Sequence, residues 1–559
     1  MTSRTARIRV LAAFAAPLAA RALAAQAGSP PAPSTMSGTT DPPPTYTERY
    51  RPQYHFTPAA NWMNDPNGLV YYDGEWHLFY QHNPFGNRHG HISWGHAVST
   101  DLVHWQNLPV AIPHTGAEGV WSGSAVVDWQ NTSGFGQGGK PPMVAIYTGF
   151  DEAAKRQAQH IAYSTDRGRT WTRYAGNPVL TLDLGLPDFR DPKVFWHAPT
   201  GRWVMVVSLP TEHKVRFYGS PNLKQWSLLG DFGPAGATGG VWECPDLFEV
   251  PVDGDPRHTR WVLVVNVNPG GIAGGSATQY FVGRFDGNRF AADEPSPRTA
   301  NPGAPTVRWA DYGKDLYATV SWSDVPRADG RRVWIGWMSN WQYAFEIPTS
   351  PWRSAMSVPR TVALTTTRDG LRLVQQPVVE LERLRGERRH VGPQTIPVGS
   401  TSLAARGVTG KSMEIAATFE VNSAEPGRAS EFGLKVRTGN GEETVIGIDP
   451  KARQLIVDRT RSGQVGFHAD FPSREAAPLP VEDGRVRLRV LVDWSSVEVF
   501  AGDGRVVVTD QIFPAPESEG VQLYAKGGTA RLVSLDAWPL ASARTTAAAA
   551  PQRAATPGR

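Results

Sequence analysis

The chain has 559 residues, too many for one ordinary core, so two or more domains are expected. Hydrophobic residues make up 40% and charged residues 19%, with a net charge of +4; the basic residues are scattered apart from a short run at Arg383, Arg385, Arg388 and Arg389, which argues against a nucleic-acid partner. Cys244 is the only cysteine, so an intrachain disulfide is excluded, and no segment offers the ~18 uninterrupted apolar residues of a membrane span.

At the N-terminus, Arg4, Arg7 and Arg9 precede an Ala/Leu-rich stretch over residues 10–25 and then Ala25-Gln26-Ala27, a small-residue cleavage pattern. Residues 1–27 therefore read as a secretory signal peptide, and the chain as secreted or periplasmic. The Pro-, Ser- and Thr-rich residues 28–48 read as a flexible leader. Over residues 49–378 the pattern is strand, tight turn, strand, with almost no helical periodicity. Residues 68–72, Asp73-Gly74 and residues 75–80 form one clear hairpin. A weak repeat runs through this region: Ser99-Thr100-Asp101-Leu102 before Trp105, Ser164-Thr165-Asp166 before Trp171, and Ser220-Pro221-Asn222-Leu223 before Trp226. The copies start roughly 60 residues apart, the length of a four-stranded propeller blade, and the region has room for five. Residues 379–398 form a charged linker with a short helix. Residues 399–540 are again all strand and read as a β-sandwich, with half-buried alternation over residues 486–492. The Ala/Thr/Pro-rich residues 541–559 read as a disordered tail. The expected fold is all-β: a five-bladed β-propeller followed by a C-terminal β-sandwich.

Three acids share one local setting. They are Asp65 in Trp62-Met63-Asn64-Asp65-Pro66-Asn67-Gly68, Asp191 in Arg190-Asp191-Pro192, and Glu243 in Glu243-Cys244-Pro245-Asp246. Each stands near a proline at the start of an apolar strand, where proline is tolerated. On the innermost strands of three blades, those starts converge on one end of the central channel. Hydrolysis of a glycosidic bond needs such a set: one ionised carboxylate to attack and one protonated carboxyl to release its proton to the leaving oxygen. Arg190 is expected to favour the ionised form of Asp191. The histidines His82, His89, His91 and His96 have spacing that suits no metal geometry. Cys244 reads as a small buried residue rather than a nucleophile.

These three segments together resemble the signature set of glycoside hydrolase family 32, the β-fructofuranosidases. Tyr80-Gln81-His82-Asn83-Pro84, Trp94-Gly95-His96-Ala97 and Trp121-Ser122-Gly123-Ser124-Ala125 match further segments of that family. Asn340-Trp341-Gln342-Tyr343-Ala344 and Pro348-Thr349-Ser350-Pro351-Trp352-Arg353 are most similar to its exo-inulinase and levanase branch. Asp493-Trp494-Ser495-Ser496-Val497-Glu498-Val499-Phe500 resembles its C-terminal sandwich. The resemblance implies a retaining hydrolase that releases fructose by exo-attack on levan, inulin or both, with sucrose a further candidate substrate. It implies Asp65 as nucleophile, Glu243 as acid and base, and Asp191 as transition-state stabiliser. Trp62, Asn64, Gln81, Trp121, Ser122 and Arg190 would line the fructose pocket and Trp337 would close its far wall. His89 stands where the family carries a pocket tryptophan, and its titration is expected to make KM depend on pH between about 5 and 7.5. No cofactor and no metal is needed. A fructosyltransferase, which passes the same intermediate to a sugar, is the nearest alternative. A non-catalytic fructan-binding protein would be expected to lack one of the acids, and none is missing.

Overall fold

The computed structural model describes residues 45–182, 188–293, 307–421 and 427–544. The expected signal peptide and almost all of the leader lie outside them. The described chain is nearly all strand, and its helices are four short 3-10 turns. One of them, Val379–Leu384, stands where the linking helix is expected.

Five antiparallel blades follow one another. Their inner strands are Asn61–Tyr72, Glu118–Val127, Arg190–His197, Val241–Val252 and Tyr317–Ser321. Each inner strand packs against the next, and the last packs against the first, closing a ring. Closure is reinforced where Ser323, after the last inner strand, exchanges backbone hydrogen bonds with Leu69 and Tyr71 of the first. The inner strands are almost wholly buried, whereas an outermost strand such as Ser227–Phe232 is largely exposed. This gradient explains why inner strands read as apolar runs and outer ones do not. The sequence repeat is also structural. Trp105, Trp171 and Trp226 each donate the indole N–H to the carbonyl three residues back, at 3.0–3.1 Å, and so close the turn after the third strand of blades one, two and three.

Two packed sheets follow, one of seven strands and one of six, around a core that includes Ile415, Phe419, Leu434, Ile446, Val490 and Leu523. Alternation along Arg485–Asp493 breaks at Leu491, which faces out of the sandwich and is buried against Tyr54, Val358 and Leu381 of the preceding domain. The described residues form one compact unit. The seam between propeller and sandwich is more polar than a simple apolar contact. Arg360 donates to Asp311 and Glu498, Arg459 donates to Asp315, and His55 sits between Asp493 and Glu498. The first residues of the expected disordered tail are held in place: Ala543 N–H donates to the Gln53 carbonyl, and Arg544 donates to the Thr57 hydroxyl.

Candidate active site

All five inner strands carry a register shift close to their first residues. The extra residues are Asn64-Asp65, Trp121-Ser122, Asp191-Pro192, Cys244-Pro245 and Ala318-Thr319. A bulge sets two residues against one on the partner strand and re-aims their side chains. In blades three, four and five the first bulged residue has a left-handed backbone, with φ of 67° at Asp191, 44° at Cys244 and 51° at Ala318. Such conformations are costly for non-glycine residues and persist where the surroundings fix them. Prolines fit here because a bulge leaves an N–H without a ladder partner. The bulges turn Asp65, Ser122, Asp191 and Cys244 toward the axis, and Glu243 and Tyr317 stand immediately before theirs.

An open cavity of about 350 Å³ covers this end of the axis. Asp65, Asp191 and Glu243 line it, with Asn64, Gln81, His89, Trp121, Asp188, Arg190, Trp341 and Phe345. Beneath the acids, between Pro66, Pro192, Pro245 and Ser321, the axial space falls to about 10 Å³. The site is therefore a dead-end pocket rather than a tunnel.

Asp65 is buried and accepts four hydrogen bonds: from Ser122 Oγ at 2.6 Å, Asn64 Nδ2 at 3.0 Å, Gln81 Nε2 at 3.2 Å and Cys244 Sγ at 3.5 Å. Burial pushes its pKa up; the Ser122 hydroxyl opposes this most strongly, and the nearby Glu243 charge adds to the rise. Asp191 accepts the Cys244 backbone N–H at 2.9 Å. Arg190 favours the ionised form of Asp191, as the sequence suggested, but burial of that carboxyl acts more strongly in the other direction. Its guanidinium lies 3.9 Å from Asp191, but it donates to Glu243 Oε1 at 2.9 and 3.1 Å and to Asp188 Oδ1 at 2.6 Å. Burial outweighs the Arg190 charge, and Glu243 and Asp65 add repulsion, so Asp191 is pushed up to about 7. Glu243 Oε2 accepts the Tyr317 hydroxyl.

Three residues expected in the pocket wall stand behind it. Trp62 is fully buried, donates to Asn64 Oδ1 at 2.7 Å and stacks under Phe345 and Trp341. Trp337 is also fully buried, 4.9 Å behind the Trp341 ring. Ser122 points down onto Asp65. Two aromatic rings that sequence reading did not single out, Trp341 and Phe345, form the wall instead. Asp188 and Tyr317 were missed as well; nothing in their short contexts sets them apart. His89 has an exposed outer edge, and its inner edge meets Trp62 and Trp341 in T-shaped contacts at 6.3 and 5.8 Å. Desolvation on that side lowers its pKa to about 4, against the pull of Glu243 and Glu152. It is therefore neutral across the range in which its titration was expected to modulate KM. The other histidines of that region have separate contacts: His82 bonds the Trp62 carbonyl, His96 stacks on Phe79, and His91 meets His114.

The profile of the glycosyl hydrolases family 32 N-terminal domain matches residues 55–377, and that of the family 32 C-terminal region matches residues 380–539. A levanase of Bacillus subtilis is 52% identical over 497 residues, spanning 89% of this chain and 71% of that protein. An extracellular exo-inulinase of Aspergillus awamori is 44% identical over 89% of this chain and 96% of its own. The crystal structure of exo-inulinase from Aspergillus awamori superposes with a TM-score of 0.83 at 43% identity, covering 89% of this chain and 99% of that one.

Proposed function

The chain belongs to glycoside hydrolase family 32, and from that premise we propose that it cleaves fructose units one at a time from the ends of β-fructans, with retention of configuration. It is an exo-acting fructan hydrolase of the levanase and exo-inulinase kind. Asp65 attacks C2 of the terminal fructosyl unit while Glu243 passes its proton to the departing glycosidic oxygen, and the C2–O bond breaks. Glu243 then takes a proton from water, the water oxygen bonds to C2, and Asp65 leaves as the carboxylate. Asp191 holds sugar hydroxyls as positive charge develops on the ring. Tyr317 and Arg190 hold Glu243 between a hydroxyl donor and a cation. The dead-end shape supports exo-attack, because a chain end fits a closed pocket and a chain middle does not.

The observation that carries this reading is the meeting of three carboxylates from blades one, three and four in one cavity. Two relatives named as levanase and extracellular exo-inulinase support the substrate class, and the second, with the N-terminal pattern, supports export. The test is Asp65→Ala against wild type on levan and inulin, with products separated over time. Wild type should release fructose alone from the first time point. The variant should melt at a similar temperature and keep less than a tenth of wild-type kcat, a loss of at least about 1.4 kcal/mol in transition-state stabilisation. A ladder of oligomers would overturn exo-attack, and a largely active variant would overturn the nucleophile.

A further inference from the structure

A second cavity, of about 460 Å³, opens over blade two, at the end of the blade where the inner strand starts and hence on the face that holds the acids. One hydrogen bond links its lining to that of the first. Gln157, which lines the second cavity, donates Nε2 at 2.8 Å to Asp188, which lines the first. Beside that bond, Phe150 stacks on the pocket residue Trp121 at 4.3 Å.

Hydrogen bonds hold part of the lining of the second cavity, and polar groups stand open at its mouth. Glu118 in its floor is satisfied by Tyr147 at 3.1 Å, Arg173 at 2.5 Å and His160 at 3.3 Å. The wall that carries Pro178 and Leu182 is pinned through Asn177, which exchanges two 2.8 Å hydrogen bonds with the Ile161 backbone. At the mouth, Asp151 and Arg156 face each other across the hairpin. Arg156 is exposed, and its guanidinium bonds no described residue; the Asp151 hydrogen bonds all fall on Oδ1, leaving Oδ2 open.

We propose that this cavity is a distal subsite, holding a fructosyl unit further along a chain whose end sits in the acid-lined pocket. The inference rests on the reading of the protein as a fructan hydrolase. The chemistry suits a neutral polyhydroxylated ring: donors on Arg156, an acceptor on Asp151, and an apolar wall for sugar C–H groups. An anion is disfavoured because the Asp151 and Glu118 carboxylates stand beside Arg156, the one free guanidinium among the described residues of the lining. Occupancy needs a polymer, so the cavity makes the enzyme favour long chains over a disaccharide.

Arg156→Ala removes the free donors, and Ala158→Trp fills the cavity without touching the acids. Steady-state kinetics on sucrose and on long-chain inulin and levan, with melting temperatures, test the proposal. Both variants should raise KM for at least one polymer by about threefold or more, equivalent to about 0.6 kcal/mol, while sucrose kinetics stay unchanged. Equal effects on sucrose and polymer, or no effect in correctly folded variants, would overturn the subsite. Those outcomes leave the hydrolase reading intact, whereas a wild-type protein that frees fructose from neither substrate would overturn that reading itself.

Discussion

Ser122 is the residue on which the ionisation of Asp65 turns. Burial raises the Asp65 pKa and the 2.6 Å bond from the Ser122 hydroxyl is the strongest opposing influence. Asp65 must be ionised to attack, so losing that donor favours the inactive protonated form. Ser122→Ala should therefore move the acid limb of the kcat/KM profile upward by about one pH unit, the size of one hydrogen bond to a charged group; an unmoved limb would mean that the hydroxyl serves only packing. His89 gives the contrasting case. Its pKa is lowered, to about 4, so it is neutral at both pH 5.5 and 7.5. His89→Trp should change KM by the same factor at both pH values, through ring area alone, and a factor that differs between them would show that His89 titrates in that range. That the three acids and Gln81 line one cavity was legible because their segments were read together as one ordered set. Tyr317 was not, because Leu316-Tyr317-Ala318 carries no acid and no motif, and its contact with Glu243 spans blades four and five. Trp341 and Phe345 lay in or beside a recognisable segment, but a strand-to-strand loop does not reveal which of its rings faces the cavity.

The bulged inner strand is the element that makes this chemistry possible. Sequence reading found the proline-marked strand starts of blades one, three and four, because a proline there is conspicuous. It missed the same device in blades two and five, where Trp121-Ser122 and Ala318-Thr319 bulge without one. Gly68 belongs to the first of these strands, inside a second register shift between Asn67 and Val70. Its φ is +52°, and a Cβ there would lie 2.7 Å from both the Phe79 and Trp94 rings. Gly68→Ala thus meets backbone strain and overpacking together and should cost about 2–4 kcal/mol of stability. Because Asp65 stands three residues earlier on the same strand, activity per folded molecule should fall as well. Urea denaturation with kcat measured on the folded fraction checks both, and a stable variant of normal activity would show that the strand relaxes without moving its acid.

At the scale of the whole molecule, the sandwich is joined to the propeller by buried charges whose partners lie far apart in sequence, so the pairs that form this seam are not legible in the sequence. Asp493 and Glu498 sit in a recognisable segment, yet their partner His55 lies near the other end of the described chain. The imidazole is fully buried, which alone would lower its pKa; hydrogen bonds of 2.8 Å to Asp493 and 2.7 Å to Glu498 outweigh that and raise it to about 9. Arg360 holds the far side of Glu498, Asp311 lies beyond Arg360, and Arg544 donates to the His55 carbonyl. The folded value lies above the ordinary value of 6.5, so the folded state binds this proton more tightly than the unfolded chain does. The resulting stability is fully present below pH 6.5 and is lost as pH rises through 9. A shift of this size corresponds to on the order of 3 kcal/mol. Wild-type melting temperature should therefore decline between pH 6.5 and 9.5. His55→Gln keeps a neutral donor but leaves two buried carboxylates without a cation between them, so it should melt lower at pH 6 and lose most of that decline. Differential scanning calorimetry at pH 6, 7.5 and 9 distinguishes the cases: an equal decline in both proteins would place the alkaline loss of stability elsewhere than at the His55 contact between the two domains.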